Sequence, residues 1–258
     1  MSRIKNVFNH TGHKALITYI TVGYPDLDTT IKAALALAGN GADILELGVP
    51  FSDPLADGAT IQESSHIALK NGITLENCLE TAEKLRRKIS LPLVLMGYFN
   101  PILSYGLEKF CRNCAQAGID GLIIPDLPPE EGTTLEYAAR EKGIDQIYLL
   151  SPNSTKERIK IVSEKSSGYI YLVSVTGVTG PRDSLPAGLD QFINRVREAT
   201  NLPLCVGFGI STPAQARQIA RLADGVIIGS RLIQLMKIDP TLTTLVDFIR
   251  ETRMALDS

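Results

Sequence analysis

The chain has 258 residues, 44% of them hydrophobic and 21% charged, with a formal net charge of −2 at neutral pH. This composition supplies a sizeable core and excludes a disordered chain, and the near-neutral balance excludes the basic stripe with which nucleic-acid binders neutralise phosphates. No apolar run approaches the ~20 residues that span a bilayer, so no membrane partner is expected.

In chain order, residues 1–14 are polar and lack the apolar core and small-residue cleavage site of a secretory signal. The expected location is cytoplasmic, or the plastid stroma were the gene organellar. Short runs rich in Val, Ile and Leu then predict strands at Leu16–Val22, Asp43–Gly48, Pro92–Gly97, Asp120–Ile124, Gln146–Leu150, Gly168–Ser174, Pro203–Phe208 and Asp224–Ile228. Near-continuous apolar runs are what parallel strands covered on both faces require. Between them lie helical patterns. Ile31, Ala34, Leu35 and Ala38 fall at i, i+3, i+4, i+7, as do Leu189, Phe192, Ile193 and Val196. The stretch Ala59–Lys88 has room for two helices broken near Asn71-Gly72, which places an extra helix after the second strand. Ser211-Thr212-Pro213 marks one helix start. A last helix through Leu242, Leu245, Val246 and Ile249 is expected to start with Asp239 as N-cap and Pro240 at the first helical position.

Eight strands alternating with helices admit a closed barrel or an open doubly wound sheet. The count of eight, and the lack of a Gly-x-Gly-x-x-Gly turn after the first strand, favour an α/β fold of the (β/α)8 TIM-barrel type. With no linker or composition shift, residues 1–258 read as a single domain. The four cysteines, Cys78, Cys111, Cys114 and Cys205, are too scattered for a disulfide framework. The Cys111/Cys114 pair lies inside the helical pattern Leu107–Ala117 and reads as packed thiols. None of His10, His13 and His66 sits at a strand end beside a carboxylate pair, and with no histidine or cysteine cluster at the mouth no catalytic metal is expected.

Active sites of such barrels sit at the C-terminal ends of the strands. Glu46 lies in the second strand's apolar run, between Leu45 and Leu47, where burial penalises its charged form. It reads either as a structural carboxylate bonded to a neighbouring strand or as an acid/base group. Asp57 lies on the loop that follows; on position alone, it and Asp53 fit a turn or cap equally well. A buried and a wetter carboxylate in one mouth is how a site separates acid from base. Glycines end the last strands in Val206-Gly-Phe-Gly-Ile-Ser211 and Ile227-Ile-Gly-Ser-Arg231. The sixth runs into Ser174-Val-Thr-Gly-Val-Thr-Gly-Pro-Arg182, a loop of small residues fit to close over a ligand. Backbone N–H groups in such loops suit a phosphate.

The stretch Leu45-Glu-Leu-Gly-Val-Pro-Phe-Ser-Asp-Pro-Leu-Ala-Asp-Gly-Ala-Thr-Ile-Gln62 resembles the characteristic motif of tryptophan synthase alpha subunits. Met96-Gly-Tyr-Phe-Asn-Pro-Ile102, Pro125-Asp-Leu-Pro128, Ser174–Gly180, Gly207–Ser211 and Ile228-Gly-Ser230 follow in that family's order, so the resemblance spans essentially the whole chain. It implies cleavage of indole-3-glycerol phosphate to indole and glyceraldehyde-3-phosphate. Glu46 would protonate the ring carbon and assist deprotonation of the glycerol hydroxyl, and Asp57 would bind the ring N–H. Tyr19, Tyr171 and Thr179 would line the substrate, and Gly180, Gly209, Gly229 and Ser230 would hold its phosphate. Tyr19 stands where many members have phenylalanine, Thr18 replaces a common proline, and Val175-Thr176 replaces an Arg-containing pair. No cofactor is implied in this chain. The resemblance also implies a beta-subunit partner carrying pyridoxal phosphate, in an alpha2-beta2 heterotetramer, facing the loop Pro50–Asp57 and the segment Pro125–Pro129. A phosphoribosyl isomerase barrel would share the late glycine loops but not the Glu46/Asp57 motif. A stand-alone lyase and a catalytically silent activating subunit remain as alternatives.

Overall fold

The computed structural model describes residues 2–173, 188–207 and 209–258. Nine parallel strands form one sheet: β1 (Ala15–Thr21), β2 (Ile44–Gly48), β3 (Leu93–Met96), β4 (Gly121–Ile123), β5 (Asp145–Ile147), β6 (Leu149–Leu150), β7 (Ile170–Val173), β8 (Leu204–Gly207) and β9 (Gly225–Ile228). Their order is β5-β4-β3-β2-β1-β9-β8-β7-β6. The two strands at the ends of that order are consecutive in the chain, separated only by Tyr148. The expected fifth strand, Gln146–Leu150, is thus divided: its first half pairs with β4 and its second with β7. Through that single residue the sheet closes into the barrel read from the sequence.

The period-two rule sorts residues between the two faces. Ala15, Ile17, Ile44, Val94, Ile123, Ile147, Cys205 and Ile227 pack with Tyr169 and Tyr171 inside the barrel. Leu16, Ile20, Leu45, Leu47, Leu95 and Leu122 pack outward against the helices. Tyr19 follows Ile17 by two and Glu46 follows Ile44 by two, so both occupy the next inward layer, and register pairs them directly.

The break at Asn71-Gly72 is present. Helix α3 (Ala59–Lys70) ends there, Gly72 takes a φ of +76°, and α4 (Leu75–Arg86) starts under a capping box between Thr74 and Asn77. Thr212 and Pro213 start α10 (Pro213–Ala220) as expected, with Gln215 completing its box. The last helix departs from its expected start. Residues 230–238 form α11 (Ser230–Ile238), Asp239 is its C-cap, and α12 runs Thr243–Leu256. The Asp239 carboxylate instead accepts from the N–H groups of Thr241 and Thr244, at 2.9 Å each, across the intervening turn.

The N-terminal ends of the strands are fastened by one repeated device. Asp43, Asp120 and Asp224 each precede a strand and accept the backbone N–H of the strand beside it, from Leu16 at 2.7 Å, Leu93 at 2.9 Å and Leu204 at 2.8 Å. Each also pairs with an arginine from the end of a helix: Arg253 at 3.0 Å, Arg86 at 2.7 Å and Arg197 at 2.6 Å. A short helix not anticipated from the polar first segment, α1 (Arg3–Val7), covers this face. Its Ile4 is fully buried in the barrel interior, and Arg3 adds a second ion pair to Asp120 at 2.8 Å. All four cysteines are free thiols and buried.

Asp120 is the most buried of the three. Replacing it with alanine removes the buried carboxylate that pairs with the partly buried Arg86 guanidinium and accepts the Leu93 N–H. Asp120→Ala should destabilise the chain by about 3 kcal/mol, read as a lower urea midpoint at unchanged slope.

Candidate active site

Glu46 projects into the barrel from β2 and is 1% exposed. The hydroxyl of the fully buried Tyr169, immediately before β7, donates to its Oε1 at 2.6 Å. Its Oε2 is buried with no hydrogen-bond partner among the described residues. Loss of solvation pushes Glu46 up to about 7, with the Tyr169 bond pulling the other way. One oxygen is therefore held while the other is free to carry a proton, and near neutral pH both protonation states are populated.

Asp57 ends the loop between β2 and α3, immediately before the Gly58 N-cap. The loop is tied by its own backbone, with the Asp57 N–H donating to the Pro54 carbonyl at 3.0 Å. It is also tied to β3's end by Tyr98. That phenol oxygen accepts the Ala56 N–H at 3.1 Å, its proton goes to the Asp57 carboxylate, and its ring stacks on Phe51 with centroids 5.0 Å apart. Asp57 keeps some solvent contact but is pushed up to about 6 by partial burial, against the pull of Tyr98. At neutral pH it remains mostly ionised while Glu46 is near its midpoint. The two carboxylates thus have the separation that acid and base roles require.

Tyr19 and Tyr171 close the chamber from either side. The Tyr19 hydroxyl lies over Gly48 of the neighbouring strand, where an added Cβ would sit 2.0 Å from its oxygen. Tyr171 lies over Gly207 in the same way, at 2.2 Å. Side chains at 48 or 207 would displace these rings. Burial holds both phenols far above their ordinary range, and both feel the fields of Glu46 and Asp57.

The proposed phosphate residues sit on neighbouring strand ends. Gly209, past β8, has a φ of +81°, and Gly229 is the N-cap of α11, whose first residue is the exposed Ser230. A helix start presents unpaired N–H groups and a positive dipole end. Thr179 and Gly180 lie outside the described residues. His10 and His66 are exposed, and His13 bonds Asp43 at 3.0 Å, away from the mouth. Among the described residues no group of three His, Cys, Asp or Glu is disposed to hold a metal.

Two residues of the site went unread in the sequence. Tyr169 precedes Tyr171 by two, so the strand period alone places it on the same inward face, one layer nearer Glu46. Tyr98 was visible only as part of a motif, and its grip on Asp57 depends on a loop conformation that no periodicity encodes.

Comparison with known proteins gives a consistent picture. The family model described as Tryptophan synthase alpha chain matches residues 6–252. A tryptophan synthase alpha chain of Dehalococcoides mccartyi is 58% identical over 257 residues, covering 100% of both chains. One from Roseiflexus sp. (strain RS-1) is 50% identical, covering 98% of this chain and 100% of the relative. Among solved structures, a chain of Mycobacterium tuberculosis tryptophan synthase superposes with a TM-score of 0.93 at 38% identity, covering 100% of this chain and 99% of that one.

The buried Glu46 makes folding stability depend on pH. Its folded value, about 7, is raised above the ordinary 4.5, so its favourable contribution is complete below about 4.5 and is lost as pH rises through 7. Glu46→Gln should therefore gain about 3 kcal/mol on the wild type between pH 4 and pH 9 in denaturant titrations. Equal pH slopes for the two proteins would refute this. In Tyr169→Phe, a carboxyl titration followed by infrared difference spectroscopy should place Glu46 above about 7.

Proposed function

The chain belongs to the tryptophan synthase alpha chain family, and we propose that Glu46 and Asp57 carry that family's lyase reaction here. The reaction cleaves indole-3-glycerol phosphate to indole and glyceraldehyde-3-phosphate, a step of tryptophan biosynthesis. The observation that carries the assignment is a buried Glu46, one oxygen held by Tyr169 and the other uncommitted, set with the Tyr98-bound Asp57 at one barrel mouth.

An aromatic carbon leaves with its bonding electrons only if the ring first becomes electrophilic. Glu46 delivers a proton from Oε2 to the ring carbon that bears the side chain, and positive charge develops at the ring nitrogen. Asp57, held as the anion by Tyr98, faces that charge. The Glu46 carboxylate so produced takes up the proton of the adjacent carbinol. The carbon–carbon bond then breaks, its electrons restore the aromatic ring, and the carbinol becomes the aldehyde. Proton uptake and release balance, so the acid is regenerated within one turnover. No cofactor is assigned to this chain. Tyr19 and Tyr171 pack against the bicycle, with Thr179 completing the pocket, while Gly180, Gly209, Gly229 and Ser230 hold the phosphate. Binding energy from that remote end fixes the reactive geometry.

The whole chain acts as one barrel domain with a pyridoxal-phosphate beta subunit as its partner, in an alpha2-beta2 heterotetramer in the cytoplasm. No helix among the described residues is long and apolar enough to cross a membrane. The partner reading is supported at the loop Pro50–Asp57, whose tip residue Leu55 is 94% exposed beside Pro54. The segment Pro125–Pro129 joins the same surface, since the Asp126 carboxylate accepts the Phe99 N–H at 2.9 Å, next to Tyr98.

Indole release by the purified chain, with and without a beta subunit, tests the reading. Glu46→Gln and Asp57→Asn should each lose at least about 100-fold in kcat with KM changed several-fold at most. Retention of full activity by Glu46→Gln would remove it as the acid. Leu55→Asp should weaken binding of the beta subunit about 10-fold or more, measured by titration calorimetry, while sparing the basal reaction.

A further inference from the structure

Three buried hydroxyls, those of Tyr19, Thr21 and Ser64, line up between β1 and α3. Ser64, on the second turn of α3, donates to the Ile61 carbonyl at 2.8 Å. A hydroxyl has one proton, so in the 2.7 Å contact between Ser64 and Thr21 it is Thr21 that donates. With the Thr21 proton committed, the 3.4 Å contact between Thr21 and Tyr19, the weaker of the two, has Tyr19 as donor. The row therefore has one direction, from Tyr19 through Thr21 and Ser64 to Ile61. Thr21 and Ser64 are fully buried and Tyr19 is 8% exposed, so bulk water does not compete to reorient it.

The consequence falls on the phenol oxygen of Tyr19. Its proton faces Thr21, so toward the chamber it presents lone pairs. The ring reaches from β1 across to β2, over Gly48, and the carboxylate whose field acts most strongly on it is Asp57, followed by Glu46. We propose that Tyr19 is a specificity-determining residue: a hydrogen-bond acceptor fixed beside Asp57 that joins it in taking the N–H donor of the bound bicyclic ring. The inference rests on the assignment of Asp57 to the ring nitrogen. A phenylalanine here would supply the same packing surface without the acceptor. As positive charge grows on the nitrogen, the phenol's oriented dipole adds to the Asp57 charge without reorganisation.

Two variants separate this role from simple packing. Tyr19→Phe removes the acceptor. Thr21→Val is nearly isosteric and removes only the group that commits the phenol proton, leaving that proton free to turn toward Asp57. Among the described residues, the titratable groups that interact with Asp57 are Tyr19 of β1, Tyr98 before α5 (Phe99–Tyr105) and Tyr171 of β7, so Tyr19 is one of three phenols around it. The probes are 3-indolylpropyl phosphate and its benzothiophene counterpart, which lacks the N–H, with dissociation constants from calorimetry. Tyr19→Phe should weaken the indolyl ligand about 5-fold, the worth of one neutral hydrogen bond, and leave the benzothienyl ligand unchanged. In Thr21→Val the acid limb of the kcat/KM profile should move to lower pH, because a new donor favours the ionised Asp57. Adding Tyr19→Phe to Thr21→Val should abolish that movement. Equal weakening of both ligands by Tyr19→Phe, no weakening of either, or an unmoved acid limb in Thr21→Val overturns the proposal. A wild-type chain that binds both ligands but releases no indole would instead sink the lyase reading, and the calorimetric comparison would still decide the role of Tyr19.

Discussion

A carboxyl group at the centre of a parallel barrel has no water to solvate its charge, and the rest of the site answers to that constraint. The Tyr169 hydroxyl satisfies one oxygen of Glu46 and leaves the other uncommitted. Two such donors would favour the anion and remove the acid; none would leave the carboxyl neutral throughout the working range. One donor in a dry chamber holds it near 7. Tyr19 and Tyr171 keep the chamber dry, and each finds its place because the strand beside it carries glycine at the matching layer. The chemistry of Glu46 thus reaches into the sequence as a requirement for small residues at 48 and 207.

The two ends of the barrel divide the labour. At the N-terminal ends, Asp43, Asp120 and Asp224 are each bound by a strand N–H and an arginine, which ties neighbouring strands together and offsets each carboxylate's charge. At the C-terminal ends, Glu46 and Asp57 are bound, among the described residues, by phenols and not by cations. An arginine beside either would hold its carboxylate ionised and low. Phenols position without supplying charge, so both groups stay in the range where protons move at neutral pH.

The sequence made the strands legible because buried parallel strands have little choice of composition, and seven of the eight expected runs contain one strand each. The exception, Gln146–Leu150, reads as one apolar run, yet its halves pair with different neighbours, and no pattern along a single chain encodes a change of partner. The start of the last helix was misread for a related reason. Asp239 and Pro240 have the right types for a cap and first turn, but Asp239 closes the preceding helix and its carboxylate spans the turn. Glu46 and Asp57 were legible from location and family resemblance together. Tyr169 was within reach of the strand period alone, whereas the Tyr98 clamp and the hydroxyl row through Thr21 and Ser64 join residues far apart in sequence, which only the folded chain brings together.

The closure of the sheet at Tyr148 bears on how the molecule is assembled. Strands β1 to β5 pair in chain order, each with its predecessor, and can associate as soon as they are synthesised. Strands β6 to β9 do the same among themselves. The β1–β9 seam is different, since it joins Ala15 to Gly225 and must wait for nearly the whole chain to emerge. Without that seam β1 is an open edge, and the closed interior that buries Glu46 and raises its proton affinity is incomplete. The acid therefore comes into being only when the last strand docks, and an incompletely made chain holds the residues of the site without its reactivity.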